Sequence, residues 1–157
     1  MRQITVIGSG SEVSKSVWDM AEELGRRIAK RRAVLICGGK GGVMEAVCKG
    51  AKQEGGLTVG ILPGTVDEAN NYVDIKIVTE MGDARNAINV KSGDAVIVVC
   101  GGAGTLSEIG MALKARKKIV ALVKSGGVAT MLSNAVIDGQ NVVPASSVDE
   151  ALRHVFE

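Results

Sequence analysis

The residues of this sequence best suited to chemistry are its glycine clusters and the few polar side chains beside them. Gly101-Gly102-Ala103-Gly104-Thr105 follows an aliphatic run and leads into a helical pattern. A Gly-Gly-x-Gly turn between strand and helix lets the backbone approach a ligand closely. It also exposes the unpaired N–H groups of the first helical turn, which together with the helix dipole favour a phosphate or carboxylate. Thr105 can add a hydroxyl donor. Gly8-Ser9-Gly10 and Gly38-Gly39-Lys40-Gly41-Gly42 have the same character, and Lys40 could meet a phosphate, although a lysine at a loop tip is more often simply solvent-exposed. One such loop is equally explained as a tight turn that needs glycine for its conformation. Several at one edge of a sheet point to an anion site.

Glu108 lies one helical turn beyond the third loop. A carboxylate there would repel a phosphate, but it could stabilise positive charge developing at a nearby ribose or activate a water. The spacing Thr105-x-x-Glu108 also fits a capping box, as do Ser9/Glu12 and Ser147/Glu150. Both readings of Glu108 stay open. Arg85, in Gly82-Asp83-Ala84-Arg85-Asn86, falls in a polar helix before the third loop's strand. It could pair with phosphate, base or Glu108, or equally lie at a solvated or dimer surface.

Other chemistries are poorly supported. His154 is the only histidine, so a Ser-His-Asp or Cys-His unit within the chain is not expected. Cys37, Cys48 and Cys100 lack CxxC spacing, which argues against a zinc site; no metal and no resident cofactor are expected. Cys37 and Cys100 read as small residues ending buried strands. Gly8-Ser9-Gly10-Ser11-Glu12-Val13 puts valine at the third glycine of the dinucleotide fingerprint, and Cys37-Gly38-Gly39 occupies the place of the ribose-binding acid. No P-loop pattern occurs. A mononucleotide or sugar phosphate remains.

The elements that must hold these residues are legible in the hydrophobic pattern. Strands are expected at 4–7, 33–37, 57–62, 73–77, 95–100, 119–123 and 141–143. The alternating run 73–77 suits a half-exposed strand near an edge. Helices are expected from 13 to 28 and at 43–53, 84–91 and 106–116, then from 125 through about 136, and after Ser147 to about 154. Strict alternation with short connections predicts an α/β protein: a single Rossmann-like domain over residues 1–157, with a parallel sheet of about six or seven strands and helices on both faces. Ligands of such sheets bind beyond the carboxyl ends of the strands, where the glycines cluster. The 157 residues carry 19 basic and 17 acidic side chains, and aromatics make up 2%. That balance and the lack of stacking residues argue against nucleic acid. No apolar run reaches the ~18 residues of a membrane span, and the first residues do not read as a signal peptide. The expected compartment is the cytoplasm.

The segment Gly101-Gly102-Ala103-Gly104-Thr105-Leu106-Ser107-Glu108 resembles the PGGxGTxxE motif of the LOG ("lonely guy") proteins, many of them long labelled "possible lysine decarboxylase". The stretch from Met81 to Asn86, followed by Ser92-Gly93-Asp94-Ala95, is similar to that family's arginine-bearing helix. Cys37-Gly38-Gly39-Lys40-Gly41-Gly42-Val43-Met44 is similar to its GGGxxGLM segment. The resemblance spans about Ile4 to Val123. It implies a Rossmann-like homodimer that hydrolyses the N-glycosidic bond of nucleoside 5′-monophosphates, with the 5′-phosphate in loop 101–105 and with Arg85 and Glu108 catalytic. It gives no support to decarboxylation, since no lysine has a pyridoxal-phosphate context. Cys100 stands at the motif's proline, Ser107 where a second acid is common, and GDARN where HERK is usual. With the short chain, these departures resemble the small branch that includes molybdenum cofactor carrier proteins. That branch implies the alternative: a non-catalytic carrier or sensor of a phosphorylated ligand. The single-strand DNA-processing relatives of this core are a weaker comparison.

Overall fold

The computed structural model describes all of residues 1–157. Six parallel strands run β1 (Gln3–Gly8), β2 (Val34–Cys37), β3 (Thr58–Leu62), β4 (Ile75–Val78), β5 (Ala95–Val99) and β6 (Lys118–Leu122). A hairpin of β7 (Val136–Ile137) and β8 (Gln140–Ala145) completes the sheet, whose order is β4-β3-β2-β1-β5-β6-β8-β7. Only β7 is antiparallel. The chain winds outward from β1 in one direction to β4, then returns to lay β5 on the other side of β1, in register from Ile4 opposite Ala95 to Gly8 opposite Val99. The order therefore reverses between β1 and β5, which is where open α/β sheets bind ligands.

Strand β5 shows why the sheet is covered on both faces. Ala95, Ile97 and Val99 point to a core shared with α1 (Lys15–Lys30), α2 (Val43–Gln53) and α6 (Val148–Phe156). Val96 and Val98 point to a second core shared with α3 (Arg85–Ser92), α4 (Ala103–Lys114) and α5 (Gly127–Leu132). Val17, Ala21, Leu24 and Ile28 form the buried stripe of α1 at helical spacing. Gly25 of α1 and Gly50 of α2 let these helices touch backbone to backbone. A Cβ on Gly25 would come within 2.0 Å of the Val47 carbonyl oxygen, and one on Gly50 within 1.8 Å of that of Glu22.

The outer strand β4 is exposed along its whole length, including Ile75, Ile77 and Val78, and has no neighbour on its far side.

Three local expectations need correction. The helix expected from 125 through about 136 ends at Leu132, and Val136–Ile137 turn into β7. Asp138 and Gly139 both have positive φ, at 51° and 75°, the geometry of a two-residue hairpin turn. Helix α1 starts at Lys15 with Ser14 as its cap, so Ser9/Glu12 is not a capping box. Helix α4 begins at Ala103, not at 106, with Gly102 in the cap position. Thr105 is therefore inside the first turn, and Thr105/Glu108 is not a capping box either. The third such pair is partly realised: Ser147 Oγ accepts from Glu150 N at 3.1 Å, while Glu150 reaches back to Ser146.

Candidate anion site at the switch point

A cleft of about 450 Å³ opens at the carboxyl ends of β1, β2 and β5. One rim is the Gly8–Ser11 segment with Gly38 and Lys40; the other is the start of α4 from Gly102 to Thr105; the floor holds Arg85, Asn89 and Glu108. No aromatic side chain lines it.

The two related glycine loops do different work. At α2 the N-terminus is closed, because the Val43 N–H donates to the Ser9 carbonyl at 2.9 Å. At α4 no side chain caps the helix, and the Leu106 N–H is the first to find an acceptor within it, the Gly102 carbonyl at 2.9 Å. The N–H groups of Ala103, Gly104 and Thr105 lack intrahelical acceptors for geometric reasons. They sit on the cleft wall, where an anion would also meet the positive end of the helix dipole.

Arg85 opens α3 and is buried. Its Nη1 donates to Asn86 Oδ1, and it forms no ion pair. The guanidinium packs on Gly38, where a Cβ would lie 2.6 Å from Nη2. Any larger residue at 38 would displace the arginine. Glu108, in the second turn of α4, is 6% exposed. Its Oε2 accepts from Asn89 Nδ2 at 2.8 Å. Burial pushes the Glu108 carboxyl up to about 7, outweighing the opposing pull of the Asn89 hydrogen bond and the Arg85 charge. A carboxyl that titrates near neutrality can give or take a proton.

Of the residues singled out in the sequence, Gly8, Ser9, Gly38, Lys40, Arg85, Gly102, Gly104, Thr105 and Glu108 line this one cleft. Gly39, Gly41 and Gly101 do not; they stand behind its walls. Gly39 offers its carbonyl to Asn70 N at 2.8 Å, and Gly101 offers its own to Val128 N at 3.0 Å. A Cβ on Gly41 would lie 3.5 Å from the Gly10 carbonyl oxygen. Cys37 is fully buried with its sulfur 3.5 Å from that of Cys48, whereas Cys100 is only half-buried. No three His, Cys, Asp or Glu side chains converge on a possible metal position.

Sequence reasoning missed Asn89, and with it Asn86 and Asp83, which also line the cleft. A signal was present. Arg85 and Asn89 are four apart in the expected helix 84–91, so a helix that aims one at the strand ends aims both.

Residues 1–152 match the SLOG cluster4 family model. The chain belongs to that family. Among relatives of this SLOG cluster4 protein, an uncharacterised protein of Archaeoglobus fulgidus is 52% identical over 122 residues, covering 78% of this chain and 80% of that one. The cytokinin riboside 5′-monophosphate phosphoribohydrolase of Mycobacterium tuberculosis is 34% identical over 110 residues, 68% of this chain. The match spans 59% of that enzyme's length, and 47% of a probable enzyme of the same kind from Oryza sativa. Solved structures match more completely. The molybdenum cofactor carrier protein of Chlamydomonas reinhardtii superposes with a TM-score of 0.88 at 38% identity, over 99% of this chain and 97% of that one. The molybdenum cofactor binding protein of Rippkaea orientalis gives 0.85 at 40%, over 97% and 93%. DNA processing protein A of Helicobacter pylori shares the fold alone, at 19% identity and a TM-score of 0.67. The family is thus related both to the LOG phosphoribohydrolases and to the molybdenum cofactor carriers.

Proposed function

We propose that this SLOG cluster4 protein binds a phosphorylated small molecule in the switch-point cleft and holds it without turning it over. The observation that carries this reading is the uncapped N-terminus of α4 facing the cleft, with buried Arg85 in its floor. The ligand's phosphate sits against the N–H groups of Ala103 to Thr105, within reach of Lys40 at the rim. The match to the carriers over nearly the full length of both chains supports retention, whereas the match spans only 59% of the Mycobacterium tuberculosis hydrolase and 47% of the Oryza sativa one. Hydrolysis, the main expectation from the motif, thereby becomes the second reading. Glu108 keeps it in play: a buried carboxyl titrating near 7 is matched to proton transfer at a glycosidic bond. The reading includes a cytoplasmic location and, as the motif resemblance implies, a homodimer, joined through the exposed side of α4. It takes a small-molecule partner and not a nucleic acid.

Calorimetry with AMP and with a phosphorylated pterin, followed by chromatography of the same mixtures for free base, separates the two readings. Binding with no base released from AMP or from cytokinin riboside monophosphates is the expected result. Base released at the enzyme's own turnover, and lost in Glu108→Gln, would establish hydrolysis instead.

A further inference from the structure

Two buried side-chain polar atoms of the chain lack a partner, Arg85 Nε and Asn89 Oδ1, and both residues lie in the floor of the cleft. All the other buried side-chain nitrogens and oxygens are paired. One orphan is a donor without an acceptor; the other is an acceptor without a donor. Proteins rarely leave such groups unmatched, and two at the floor of one cleft call for a functional explanation. The two residues are one helical turn apart on α3 and share a face. Their surroundings hold them where they are. The Arg85 guanidinium is pinned between Gly38 and Asn86. The Asn89 amide is oriented by Glu108, which takes its Nδ2 at 2.8 Å and so leaves the carbonyl oxygen as the free end.

We propose that Asn89, with Arg85 beside it, is a specificity-determining residue that reads an uncharged polar group of the ligand, one presenting an N–H or O–H next to a hydrogen-bond acceptor. The inference rests on the cleft's being a phosphate-ligand site. The phosphate takes the N-terminus of α4, and this second group enters the floor. The ligand's O–H or N–H donates to Asn89 Oδ1 while its acceptor atom receives Arg85 Nε–H. A sugar hydroxyl supplies both functions from one oxygen; a lactam edge supplies them from an adjacent N–H and C=O. With no aromatic side chain lining the cleft, recognition of the ligand's organic part falls to such polar contacts in place of stacking.

The test is calorimetry on the full chain with inorganic phosphate, purine riboside 5′-monophosphate, its 2′,3′-dideoxy form, and IMP. Purine riboside has base acceptors but no base N–H. Its comparison with the dideoxy form isolates the sugar hydroxyls, and its comparison with IMP isolates a lactam. One of these two pairs should differ by roughly tenfold or more, the cost of leaving the buried groups unmatched. Asn89→Leu should erase that difference and leave the affinity for inorganic phosphate unchanged. Neither pair differing by more than twofold in the wild-type protein would overturn the proposal, whether or not the variant folds. So would an Asn89→Leu protein that loses inorganic phosphate in the same proportion, since that marks a merely structural role. Failure of the wild-type protein to bind any of the four would instead overturn the anion-site reading beneath it.

Discussion

Glu108 is buried, with Asn89 as its only hydrogen-bond donor. Its carboxyl is raised from an ordinary value of 4.5 to about 7. Between those values the folded chain retains a proton that the unfolded chain has released. Stability contributed by this group therefore falls as pH rises through that window and levels off above it. Glu108→Gln keeps an acceptor for Asn89 and removes the charge. Its melting temperature should exceed that of the parent at pH 8 and match it near pH 4.5, with a gain of roughly 3 kcal/mol at most. Identical melting curves at pH 8 would show that the carboxylate is not held at this cost. The capping-box reading of the sequence would have implied a stability loss, and it failed because Gly102, not Thr105, occupies the cap position. Gly104 gives a second test. A Cβ there meets nothing within 4 Å, so Gly104→Asp places negative charge on the cleft wall without disturbing packing. It should lower phosphate affinity by tenfold or more at unchanged melting temperature. Unchanged affinity in titration would remove the α4 N-terminus from the binding account.

The turn into α4 shows what a motif letter can hide. The resemblance sets Cys100 where the family pattern has proline, and the backbone here has φ of 56°. Proline is fixed near −65° and lacks the N–H that Cys100 donates to Ser125 Oγ at 2.7 Å. Cys100→Pro should therefore cost about 3 kcal/mol or more, seen as a lower denaturation midpoint, and Cys100→Gly should be neutral or mildly stabilising. A stable proline variant would mean that the loop readily takes the family's other conformation. Strands β1 to β6 and helix α2 were legible because their periodicities are strong and glycines end them. Strand β8 was read at 141–143, inside its observed range, but β7 was not, because Gly126-Gly127 and an apolar run looked like one helix and β7 is only two residues long. Its Asp138-Gly139 turn was the overlooked sign. Asn89 went unread for a different reason: its importance comes from Glu108, which the fold brings to it from the next helix along.

At the scale of the whole molecule, the cleft is assembled from chain segments far apart in sequence because the strand order reverses at β1 and β5. The glycine loops signalled that edge, but only the order of strands shows which loops face one another. Leu106, Met131 and Val136 are exposed, and α4 carries apolar residues beyond those its sheet contact uses. Sedimentation at micromolar concentration should show a dimer that Leu106→Glu dissociates. A monomer in both cases would remove the proposed interface. The opposite edge of the sheet poses a problem of another kind. Strand β4 offers a free row of backbone donors and acceptors flanked by Ile75, Ile77 and Val78, with Lys76 the sole charge along it. Proteins usually guard such edges with charge, proline or a bulge. Here the net charge is +2 at pH 7 and vanishes near pH 8.5. Around that pH, molecules would approach one another with little mutual repulsion and an open strand to add to. Colloidal stability, not folding stability, then sets the upper pH at which the protein can be kept concentrated, and mildly acidic buffer is the condition in which it should remain dispersed.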